Sequence, residues 1–257
     1  MRWLKNKFIR LAAIVAIAAG LRFWGINHPP YFADMGWFFA SARQTLISGQ
    51  LPLLGITASI TWLHQGPLWT YFLLLPTAVS LPPQVLTALA GVAAVALAYF
   101  VAGPVAAAVM ALLPFAVTSS LTPYHTSLIP LFFFLSYLCV TRRRPFLGGL
   151  FIGFLYQSHL LTFIYWPLFL YLAVKKKLSI LHLASGFVVG VLPFILAGPV
   201  QTLGIFVWLT KQILTGFGGV SSGISTAYWQ VLLPGGLLLL GRVIKWLHAH
   251  RHSFSSQ

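Results

Sequence analysis

The chain has 257 residues, of which 59% are hydrophobic, 15% aromatic and only 7% charged. A soluble domain devotes roughly a quarter of its residues to Asp, Glu, Lys and Arg, so most of this molecule's surface is not built to face water. Sixteen Lys and Arg against one acidic residue give a formal net charge of +15, yet the basic residues form no single patch. They fall in short groups between apolar runs: Arg2, Lys5, Lys7 and Arg10; Arg142 to Arg144; Lys175 to Lys177; Arg242, Lys245 and Arg251. Such spacing is that of cytoplasmic loops in a multi-spanning protein and argues against a nucleic-acid surface. The lone Cys139 excludes an internal disulfide and any site built from several cysteines.

In chain order, residues 8–26 form a first spanning helix with its basic start on the inside. The apolar character runs on through Leu21, Phe23 and Trp24, which speaks for a retained helix over a cleaved signal peptide. Residues 27–62 are too polar to span and too apolar for a disordered loop, so they read as a long first outer loop carrying amphipathic, interfacial helices. Residues 63–80 return inward. Gly103-Pro104 splits the next apolar stretch, and residues 84–118 read as one net outward crossing through a broken helix pair, leaving Thr122 to Ser127 outside. Residues 125–141 come back in. Residues 146–158 and 160–174 make a hairpin turning outside near His159, 179–198 go out, and 224–247 return to the basic tail. Residues 201–216 read as an outer interfacial segment, and the glycine-rich stretch to Gly223 as a loop without phosphate-cradle features. The expected fold class is therefore an all-α polytopic membrane protein, one transmembrane domain over residues 1–257.

This topology gathers Asp34, His64, Gln65, His125, Gln157 and His159 at the outer ends of helices. Polar groups at membrane depth are expensive and mark a site by default. Asp34 is the only carboxylate in the chain. It can cap a helix, and it can also serve as a general base toward an acceptor hydroxyl or amine. Arg22 and Arg43 lie outside against the orientation rule, as interfacial snorkelling residues or as partners for a phosphate, a role open to Lys211 as well. No His pair has the spacing of a helical zinc motif, and one carboxylate is too few for a hard cation, so no metal site is expected.

Leu21-Arg22-Phe23-Trp24, His28-Pro29-Pro30, Ala33-Asp34-Met35-Gly36-Trp37, Ala42-Arg43 and His64-Gln65-Gly66-Pro67-Leu68-Trp69 together resemble the start of the GT-C glycosyltransferases. The nearest branch is that of the protein mannosyltransferases and bacterial aminoarabinose transferases, and Tyr156-Gln157-Ser158-His159 is similar to a Gln-x-His stretch in bacterial members. The resemblance implies a GT-C-like helix bundle in a prokaryotic plasma membrane, with an essential Asp at the place of Asp34. It implies inverting transfer of a sugar from a polyprenyl-phosphate donor on the outer face, without a cofactor. Asp34 would be the base; Arg43, His64, Gln65, His125, Gln157, His159 and Lys211 would bind substrate. Many relatives carry an acidic pair where this chain has Asp34-Met35, and many are about twice as long, so the chain reads as their amino-terminal module. The alternative is a non-catalytic or partner-dependent membrane subunit that binds or flips a lipid-linked sugar, paired with a second membrane chain.

Overall fold

Prolines and polar caps punctuate the apolar runs of this chain into helices. A computed structural model describes residues 6–30, 33–57, 62–198, 200–201, 203–204 and 226–254. Among them the regular elements are helical: α1 (Lys7–Trp24), α2 (Ala33–Ser48), α3 (Leu68–Ala78), α4 (Gln84–Val101), α5 (Pro104–Leu112), α6 (Pro114–Leu121), α7 (Ile129–Thr141), α8 (Pro145–Ser158), α9 (Trp166–Lys175), α10 (Ile180–Gly190), α11 (Leu192–Ala197) and α12 (Thr226–Phe254). Short 3-10 turns, His125–Leu128 and Leu160–Tyr165, lead into α7 and α9. Proline occupies the first turn of α5 to α9 and of α11. Its fixed φ suits a helix start, and its missing N–H costs nothing there. Asn6 and Ser179 cap α1 and α10 by accepting from Phe8 N and His182 N.

Two side-chain bonds set the direction of α4. At its head, the Gln84 amide donates to Ile26 O (3.1 Å), just past the end of α1. At its tail, Tyr99 Oη donates to Lys7 O (2.7 Å), at the start of α1. The two helices are antiparallel, so α4 begins at the end where α1 finishes. The sequence reading of residues 63–80 as a return, followed by one net crossing over 84–118, is corrected by this geometry. The 11 residues of α3 rise only about 16 Å, half of a bilayer's hydrocarbon thickness. The return is made by α4, and α5 with α6 run back alongside it, bent by 66° at Leu113. Thr122 to Ser127 still arrive at the end of α1 that holds Ile26, because Gly25 packs on Leu121 there.

The remaining helices alternate as expected. α8 and α10 run parallel and are the most intimate pair. A Cβ on Gly149 would stand 1.9 Å from Leu183 O, one on Gly186 1.9 Å from Phe146 O, and Gly153 meets Gly190 backbone to backbone. Two glycines four apart on each helix let the backbones touch, the packing that spanning helices use when apolar surroundings remove the hydrophobic drive. Residues 179–198, expected as one span, are broken at Val191 into α10 and α11, where Pro193 cannot continue the backbone ladder. In α12, Leu233 lies near Ser127 at one end and Gly241 rests on Ala102 at the other, and the helix continues through the basic tail to Phe254. The core joins Trp69, Leu73, Ala94, Ala98, Phe132, Phe133, Phe134 and Phe169. One unbroken helix among the described residues, Gln84–Val101, is long and apolar enough to cross a membrane; the bent α5–α6 pair passes the same test only jointly.

Candidate functional site at the His125 end

α2 presents Asp34 in its first turn, where the helix dipole favours a carboxylate. Met35, Phe38, Ala42 and Thr45 bury the stripe of the helix next to Asp34 and leave the Asp34 residue exposed at its edge. Asp34 stands within the helix, one place past its first residue, and its side chain is held from another element: Tyr124 Oη donates to Asp34 Oδ2 at 3.1 Å. Tyr124 occupies extended backbone between α6 and the 3-10 turn. That segment is pinned by Ser127 Oγ, which donates to Ser119 O and Thr122 O, and by Thr122 Oγ1 donating to Thr118 O. Burial, then the Asp34 charge and the hydrogen bond to it, push the Tyr124 phenol well above its ordinary range, so it stays a donor.

The aromatic wall continues into two histidines. The Tyr124 and His125 rings are 4.0 Å apart between centroids, and Phe38 lies 5.4 Å from His125. His125 and His159 stack nearly parallel, 6.1 Å apart at 10°. His159 sits where α8 stops, in extended backbone, and its Nδ1 accepts from Leu161 N (3.3 Å). Accepting at Nδ1 leaves Nε2 to carry the proton of the neutral ring. Burial lowers the His159 pKa from 6.5 to about 4. Burial, followed by the charge His159 could carry, lowers that of His125 in the same direction. Both rings are neutral at pH 7, and His125 Nδ1 is buried without a partner.

His64 and Gln65 reach the same end from a short antiparallel pairing. Gly55 N donates to Gln65 O, Gln65 N to Ile56 O, and Thr57 faces His64 across a bridge. A Cβ on Gly55 would strike Gly66 O at 2.4 Å, so this approach requires glycine. His64 N donates to Gln201 Oε1, and His64 Nδ1 is buried without a partner. The two glutamines serve as staples: Gln65 Oε1 accepts from Leu160 N, and Gln157 Nε2 donates to Gly190 O while Gln157 O accepts from Gly66 N. Gln157 Oε1 remains buried and unpartnered.

The expected phosphate partners are not brought to Asp34. Arg43 is exposed on α2, nine positions on, which is about 13.5 Å along the axis and half a turn round it. Lys211 lies outside the described residues. Arg22 does not snorkel; it is fully buried. Its guanidinium donates to Ala18 O, Met110 O, Ala111 O and Ala116 O at 3.2 to 3.5 Å, tying α1 to the bend between α5 and α6. Met110 O and Ala111 O belong to the C-terminal end of α5, where a helix leaves carbonyls unpaired and is electronegative. No spacing in the sequence ties Tyr124 to Asp34, or Arg22 to the carbonyls it braces. Among the described residues no group of three His, Cys, Asp or Glu is placed to hold a metal ion.

Compared with models of protein families, with curated proteins and with solved structures, the chain matches none.

Proposed function

We propose that the chain is an integral membrane glycosyltransferase that moves a sugar from a polyprenyl-phosphate donor to an acceptor. The observation that carries this reading is the chain's single carboxylate, exposed at the head of α2 and held by Tyr124 beside an aromatic and histidine wall. Support for the bilayer comes from the surface: Leu75, Leu89, Phe100, Leu112, Leu170, Val188 and Leu239 are exposed along helices, while the cations cluster at helix ends. The glycine contacts between α8 and α10 are of the same kind.

In this reading the site opens on the outer side, opposite the Lys7 end. Asp34 takes the proton of the acceptor as its oxygen or nitrogen attacks the anomeric carbon, and the bond from that carbon to the phosphate breaks on the opposite face, with inversion. Tyr124 keeps the carboxylate aimed, and the neutral His159, stacked on His125, offers its Nε2–H to a sugar hydroxyl. The test is transfer from a radiolabelled polyprenyl-phosphate sugar by protein reconstituted in vesicles. Asp34→Asn should lower the rate at least about 100-fold, the scale of a lost general base; a fully active Asp34→Asn variant overturns the assignment.

A second reading has its own observation. Asp34 is exposed, its hydrogen-bond partner is the neutral Tyr124, and Arg43 points away. A leaving phosphate needs a cation, so a second membrane chain could supply it, making this a partner-dependent subunit. A stoichiometric second protein co-extracted with this chain, and required for transfer, favours that reading.

A further inference from the structure

At the opposite end of the molecule, α1 and α5 leave a cleft of about 660 Å³ between them. Its floor and walls are apolar, with Ile14 from α1 and Val105, Ala108, Val109 and Leu112 from α5. Its one charged lining residue is Arg10, whose Nε is buried and has no partner among the described residues. The chain holds no acidic residue that could answer this cation. Its only acidic side chain, Asp34, belongs to the far end, beyond the 18 residues of α1, a rise of about 27 Å. A guanidinium that lies against apolar surface with a desolvated N–H needs a fixed anionic acceptor. Pro104, at the start of α5, also lines the cleft. Lys7 stands on the same end of α1, and α12 brings Arg242 there, because its neighbour Gly241 packs on Ala102.

An apolar track headed by an unanswered guanidinium has the chemistry of an anionic lipid: a phosphate for the cation and a hydrocarbon chain for the track. We propose that the α1–α5 cleft binds one anionic phospholipid of the inner leaflet, its phosphate on Arg10 and one acyl chain along Ile14, Ala108 and Leu112. This rests on the bilayer reading given above and is independent of sugar transfer.

The test is native mass spectrometry of the full chain in a neutral detergent, offered phosphatidylglycerol and phosphatidylcholine at equal mole fraction. One phosphatidylglycerol per chain should be retained with a preference of roughly tenfold or more, the scale of one charge-assisted pair. Arg10→Gln should abolish that preference, and Arg10→Lys should keep part of it. Ala108→Phe fills the track with the charge intact and should abolish retention too, which keeps the test decisive if Arg10→Gln does not fold. Arg143→Gln, a cation at the same end but away from the cleft, should change nothing. Equal retention of both lipids, or an equal loss in Arg143→Gln, overturns the assignment and leaves only diffuse positive charge. A chain that stays monodisperse in buffer without detergent overturns the bilayer reading beneath it. A detergent-dependent chain without lipid preference overturns the cleft alone.

Discussion

Asp34 works through its neighbours. Removing the Tyr124 hydroxyl leaves the carboxylate in place but no longer aimed, so Tyr124→Phe should cost transfer several-fold, well short of the loss in Asp34→Asn. The histidines make a separate prediction about stability. His159 has its pKa lowered from 6.5 to about 4 by burial, and His125 is lowered in the same direction. Between those values the unfolded chain binds protons that the folded chain refuses, so stability is full above about pH 6.5 and falls as the pH drops towards 4. Thermal unfolding in detergent at stepped pH should show this decline, and His159→Gln should flatten part of it. Asp34, His64, His125 and His159 were legible as residue types worth attention. Tyr124 was not, because a Tyr next to a His carries no signal until α6 and α2 are brought together.

At the scale of elements, two devices hold the bundle. The first is the glycine seam of α8 and α10. Gly186→Leu places a side chain where Phe146 O lies 1.9 Å from the glycine's own Cβ direction, so the helices must part. Overpacking of this kind costs about 3 kcal/mol, whereas Gly20→Ala in α1, with open space around it, should be neutral or stabilise by up to about 1 kcal/mol. Thermal or denaturant unfolding of the two variants separates them. The second device is Arg22. Arg22→Met keeps the apolar stem but removes the four bonds its guanidinium makes to carbonyls, and a loss of about 3 kcal/mol is expected, since bonds to a charged group are the strong ones. The break at Gly103-Pro104 was readable in the sequence. The bend at Leu113-Pro114 and the cation that holds it were not, because an Arg near a helix end looks the same whether it snorkels to water or folds inward onto backbone.

For the whole molecule, the direction of α4 decides which segment brings the chain back before His125. In a Cys139→Ala background, Leu81→Cys should react with an impermeant maleimide from the same side of sealed vesicles as Gln50→Cys, and from the opposite side to Arg143→Cys. Labelling of Leu81→Cys together with Arg143→Cys would restore the inward return of residues 63–80. The sequence reading and the structure both bring Thr122 to Ser127 to the Ile26 end of α1, because two differences offset each other: α3 is too short to run back along α1, and α4 and α5–α6 run in opposite directions where one net pass was expected.

Composition, the spacing of the cations and the positions of Pro and Gly were sufficient to give the helical character of the described residues, most of their helix boundaries and the gathering of rare polar groups at one end. These follow from local rules: backbone groups must be satisfied, prolines start helices, and cations sit at helix ends. The partner of Asp34, the burial of Arg22, the stacking of His125 on His159 and the cleft beside Arg10 were settled by tertiary structure alone. Each joins residues from separate elements, such as the 90 positions between Asp34 and Tyr124. Hydropathy records how apolar a segment is; it does not record which other segment it touches.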